Sequence, residues 1–130
     1  MKRKDPEYTL NVFHRTDEST GNRFVVFLVQ TTKVFVSFRY EILLEEEFKG
    51  KTLHLRIVGL HAPSLLMPSS GPARGSREFD SLSGDYTVIV TKQDRTTNQC
   101  SVHITDSTIT CSTKEVSPFI LISNDPVPLD

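Results

Sequence analysis

From Val34 to Leu44 the chain puts an apolar residue at every second position, with Val34, Val36, Phe38, Tyr40, Ile42 and Leu44 on one side and Ser37, Arg39 and Glu41 on the other. Only an extended backbone sends neighbouring side chains to opposite faces with a period of two; a helix would scatter the same residues around its axis. The pattern therefore predicts a half-buried strand. Composition points the same way. Val, Ile and Thr together number 33 against two Ala, so stiff side chains suited to a pleated surface abound where good helix formers are scarce. The chain is expected to be all-β, with no helix longer than about two turns.

Shorter runs extend the pattern. Tyr8 to Arg15 alternates, and Asp17, Ser19, Gly21 and Asn22 then supply turn formers. Phe24 to Thr31 is apolar on both faces, Thr52 to Leu60 alternates, and Tyr86 to Lys92, Gln99 to Thr105, Thr108 to Thr113 and Phe119 to Ser123 read as further short strands. Thr31, Thr32 and Lys33 lack the Gly, Asn or Asp that a tight hairpin needs, so a longer bulged loop or a crossing between sheets is expected there. Glu45, Glu46 and Glu47, followed by Phe48 to Lys51, read as a solvated loop. The stretch 61–85 is rich in Pro, Gly and Ser and is expected to be a long loop, relieved at most by a short strand or helical turn near Leu65 to Met67. The tail 124–130 carries two Pro and is expected to fray. Seven or eight strands at this spacing predict one domain over 1–130, an antiparallel Greek-key β-sandwich. Its core is expected to include Leu10, Val12, Val26, Val36, Phe38, Tyr40, Leu55, Ile57, Tyr86, Val88, Val102 and Ile104.

Leu82, Gly84, Tyr86, Val88 and Val90 follow the spacing L-x-G-x-Y-x-V-x-V, which resembles a late-strand pattern of immunoglobulin-like and fibronectin-type-III-like domains. The resemblance implies an immunoglobulin-like sandwich and, for Tyr86, a buried corner tyrosine whose hydroxyl bonds backbone. It implies no activity, because such folds carry many. The chain departs from antibody-like domains in having no Trp and a different Cys spacing.

Fifteen Lys plus Arg against sixteen Asp plus Glu leave a net charge of -1, which argues against a surface built to neutralise phosphates or coat an anionic membrane. No apolar run approaches the roughly 18 residues of a membrane helix. Neither nucleic acid nor membrane is an expected partner. Met1 to Asp5 is basic, but the polar stretch Pro6 to Arg15 follows where an export signal would be apolar. With two Cys, the expected compartment is the cytoplasm; an exported chain whose leader has been removed reads the same.

Cys100 and Cys111 fall on strands joined near Asp106 and Ser107. If those two residues turn the chain, Cys111 faces Val102 and Cys100 lies diagonally, about 7–8 Å away where a disulfide wants about 5.5–6 Å. Two reduced thiols packed beside Val102 and Ile104 are expected; a register slipped by two residues gives a cross-strand disulfide instead. His103 completes the spacing C-x2-H-x7-C, but strand parity sends it to the opposite face from Cys100, so no metal site is expected. His14, His54 and His61 read as ordinary surface histidines. No G-x-S-x-G, H-E-x-x-H, P-loop or G-x-G-x-x-G occurs, and neither an enzyme, a catalytic residue nor a cofactor is expected.

Two functional readings remain. Phe24, Val26 and Leu28 share one face of their strand and Val25, Phe27 and Val29 the other. One face fills the core and the other needs cover. This predicts a non-enzymatic protein-binding or assembly module with Val25, Phe27 and Val29 at its interface. The cover would come from another protein, a second copy in a homodimer, or Leu65, Leu66 and Met67 of the same chain. The alternative is a small-ligand or enzymatic site under the 61–85 stretch. There Ser69, Ser70, Gly71, Arg74, Gly75, Ser76 and Arg77 combine small residues with two guanidinium groups, and Arg74, Arg77, Ser70 and Ser76 are candidate anion ligands. A cleft uniting His61, Arg74, Arg77 and Asp80 would favour it.

Overall fold

The computed structural model describes residues 6–36, 40–62, 70–116 and 118–128. It contains strands β1 (Tyr8–Thr16), β2 (Arg23–Phe35), β3 (Glu41–Lys49), β4 (Thr52–His61), β5 (Gly71–Asp80), β6 (Gly84–Thr91), β7 (Thr97–Ile104), β8 (Ile109–Thr113) and β9 (Ile120–Ser123). They form one sheet in the order β8-β7-β6-β4-β3-β5-β2-β1-β9. The sheet curls until its two edge strands lie side by side, a nearly closed barrel. Asn124 Nδ2 donates to the Ile109 carbonyl at 2.6 Å across that junction. No helix occurs among the described residues.

This corrects the expected antiparallel, immunoglobulin-like Greek-key sandwich. The pairs β1 with β9, β3 with β5 and β4 with β6 are parallel, and the strands surround one interior instead of forming two facing layers. A sandwich and a barrel both bury one face of each strand, so a period of two cannot distinguish them.

The interior is filled by alternate residues of every strand, among them Leu10, Val12, Val25, Phe27, Val29, Leu53, Leu55, Ile57, Val88, Val102 and Ile120. β7 shows the rule most simply, with Asn98, Cys100, Val102 and Ile104 buried and their neighbours exposed. Hairpin chemistry supports the register. β3 and β4 are joined through Gly50 and Lys51, with Lys49 opposite Thr52, and Gly50 has φ of 60°, which a residue without Cβ adopts at little steric cost. Cys111 faces Val102, as the turn at Asp106 and Ser107 predicts, and both cysteines are free.

Four local expectations change. The alternation from Val34 to Leu44 is not one strand: β2 ends at Phe35 and β3 begins at Glu41. Val34 and Val36 are 58% and 81% exposed, so Val36 is not core; Phe38 lies outside the described residues. Thr31 to Lys33 continue β2, whose register against β5 shifts between Gln30 and Val34. The strand absorbs a bulge where a loop was expected. Glu45 to Glu47 belong to β3. Within 61–85, Gly71 to Asp80 form β5, a ten-residue strand inside the wall, while Leu65 to Met67 lie outside the described residues. β5 escapes an apolar count because its inward residues Ala73 and Gly75 are small. A Cβ on Gly75 would overlap the Ile42 carbonyl oxygen and lie 3.1 Å from the Ile42 Cβ.

Residues 124–128 lie against the barrel. Asn11 Nδ2 donates to the Asp125 carbonyl at 3.0 Å and Arg74 Nη1 to the Pro128 carbonyl at 3.4 Å. Between these ties Val127 packs on Phe13, Val26 and Leu28, a small apolar cluster on the outside of the barrel. Pro126 and Pro128 have no N–H to leave unpaired, which suits a strap laid across a surface.

Candidate functional site

β3 and β5 run in the same direction and share a single register pair, Glu41 with Arg74, reinforced by Arg74 N donating to the Tyr40 carbonyl at 3.3 Å. Beyond that point they part. The cause is local: Ala73 and Gly75 let the backbones approach, whereas the next inward residues of β5, Arg77 and Phe79, are bulky. Continuing the register would set Leu44 opposite Arg77. There the bond to the Leu44 carbonyl comes from the end of the Arg77 side chain, Nη2 at 2.5 Å, and not from backbone. Laddered strands lie about 4.8 Å apart, too close for a side chain to stretch between them, so the wall is open here.

Arg77 spans the opening. Its Nε lies 2.9 Å from Glu46 Oε1, both side chains are about one-third exposed, and its Nη1 donates to the Ser76 carbonyl at 2.8 Å. The guanidinium thus satisfies two carbonyls and a carboxylate through its planar fork. Below it Phe48 of β3 meets Phe79 of β5 edge to face, with ring centroids 5.1 Å apart. Phe79 in turn meets Phe27 at 5.8 Å, and Phe48 meets Tyr86 at 6.2 Å. Lys51 Nζ sits 4.4 Å from the centre of the Tyr86 ring and 3.4 Å from its hydroxyl, so the partner of that hydroxyl is a side chain. The opening has two strand edges as banks and an aromatic floor.

Strand parity separates the residues expected to hold an anion. Arg74 and Ser76 face outward and Arg77 inward; Arg74 is bound through Nε to Gln30 Oε1 at 2.8 Å, and Ser70 lies exposed before β5. No convergent cradle forms. His61 and Arg74 flank Glu41 at one end of the wall, whereas Asp80 pairs with Phe24 at the other. The four residues of the expected cleft do not meet.

The residues expected at a protein interface are also displaced. Val25, Phe27 and Val29 point into the barrel and are 3%, 1% and 0% exposed. The face that remains outside carries Val26 and Leu28, and the chain's own tail covers it.

Elsewhere, His14, Arg23, Val25, Ser81, Leu82, Thr105 and Asp106 line an open cleft of about 320 Å³. His14 Nε2 lies 3.0 Å from the Thr105 carbonyl and Arg23 donates to the Asp106 carbonyl, while the buried His14 Nδ1 has no hydrogen-bond partner among the described residues. No cluster of His, Cys, Asp and Glu suited to a metal occurs among the described residues. Cys100 is buried, and burial together with the nearby Cys111 pushes its thiol up to about 12, which makes it a poor nucleophile at neutral pH.

Sequence reasoning singled out Arg77 but not its partners. Glu46 reads from sequence as part of a solvated loop, and no strand expected from sequence places Phe48 or Phe79. Comparison of the chain with protein-family models, with curated proteins and with solved structures finds no match.

Proposed function

We propose that the protein is a non-enzymatic binding module that takes an extended segment of a partner protein into the opening between β3 and β5. The observation that carries this reading is the single register pair between two strands that otherwise border one another. Backbone donors and acceptors along an unladdered edge are a template for strand addition, each ladder bond contributing about 0.5–1.5 kcal/mol net. The interior is filled by side chains, which favours a ligand laid into the wall over one held inside. Arg77 occupies the opening in the free protein and is the group an entering strand displaces.

Amide hydrogen exchange tests the reading. A bound segment should protect alternate amides of β3 between Leu43 and Lys49 and of β5 between Gly75 and Asp80. Protection appearing only at β8 or β9 would refute the proposal.

A further inference from the structure

We infer that the segment accepted by this opening is basic, an extended stretch in which apolar residues alternate with lysine or arginine. The inference rests on the strand-addition reading above and specifies its ligand.

Inward positions of the banks carry Phe48 and Phe79, whose rings form the floor. An added strand must offer them apolar side chains at every second residue. Its other side chains point outward between two rows of carboxylates, Glu45 and Glu47 on β3 and Glu78 and Asp80 on β5. The cations answering two of these stand on the far sides of the banks: Arg56 of β4 reaches Glu45 at 3.0 Å, and Arg15 of β1 reaches Glu78 at 2.7 Å. Among the described residues Glu47 pairs with Lys49 of its own strand, at 3.4 Å, and Asp80 has no ion pair. Arg77, the cation that spans the opening, faces inward and is engaged by Glu46. A lysine or arginine between the rows completes this charge pattern, whereas a carboxylate there would be repelled from both sides. Because β3 and β5 run parallel, a strand antiparallel to one is antiparallel to both, and we assign the ligand that direction.

The test uses the full chain and three labelled synthetic peptides, alternating valine with lysine, with threonine or with glutamate, followed by fluorescence anisotropy and amide exchange. The lysine peptide should bind most tightly and the glutamate peptide not detectably. Glu45→Gln and Asp80→Asn should each weaken the lysine peptide roughly two- to fivefold, and added salt should weaken it further. If all three peptides bind equally and protect β3 and β5, strand addition stands and the basic ligand is overturned. If no peptide protects those strands, the reading beneath it fails.

Discussion

Phe27 separates an interior role from a surface role more sharply than any other residue. It is 1% exposed and meets Phe79 edge to face, so Phe27→Ala removes a buried ring and leaves a cavity that the surrounding strands close only in part. The expected loss is about 3–5 kcal/mol, of which the ring pair contributes about 0.5–1.5 kcal/mol. Against a total stability of about 5–15 kcal/mol for a domain, that is a large share. For a chain of 130 residues it corresponds to a fall in Tm of about 10–20 °C. Urea unfolding followed by circular dichroism should show a lower midpoint with an unchanged slope, the mark of a stability change without a change in exposed surface. Phe27→Lys should fail to fold, because an ammonium group in the barrel has no partner. A surface contact predicts the opposite: a folded domain of altered mass in sedimentation. Phe27→Ala melting within about 2 °C of the parent, or a folded Phe27→Lys, would refute the interior placement.

Three further outcomes are expected. Gly75→Ala should cost about 1–3 kcal/mol in urea unfolding, because the new Cβ meets the Ile42 carbonyl where β3 and β5 touch; an unchanged midpoint would show that this contact is slack. Val127→Asp should lift the strap from Phe13, Val26 and Leu28, raising the fluorescence of an apolar dye and promoting self-association, and a variant indistinguishable from the parent in both would dismiss the strap. Burial raises both thiols from the ordinary 9.0, Cys100 to about 12 and Cys111 to about 11. The unfolded chain therefore loses these protons first: the contribution is intact below about pH 9 and is lost as pH rises through the folded values. Stability should fall more steeply above pH 9 in the parent than in Cys100→Ser, and native protein should react slowly with thiol reagents at neutral pH; fast native labelling of Cys100 would contradict its burial.

The part of this fold that is legible in the residues alone is local. Alternation placed β1, β4, β6, β7, β8 and β9 close to their observed bounds, because each is half buried and a strand writes its two faces into adjacent residues. The turn at Asp106 and Ser107 even set Cys111 opposite Val102. β5 was illegible because its inward side is Ala73 and Gly75, chosen for close approach to Ile42 and therefore lacking the apolar signal. β2 was legible as a strand but not in its orientation. Both faces are apolar, and only closure of the barrel sends Val25, Phe27 and Val29 inward while the tail, about a hundred residues away along the chain, covers Val26 and Leu28. The candidate site has the same origin. Glu46, Phe48, Arg77 and Phe79 meet because β3 and β5 are neighbours, a pairing between strands separated by a whole hairpin arm. A period of two specifies which side of a strand is buried and says nothing of which strand lies next to it; that choice is made by packing the whole interior at once, and the opening exists only where that packing leaves two neighbours apart.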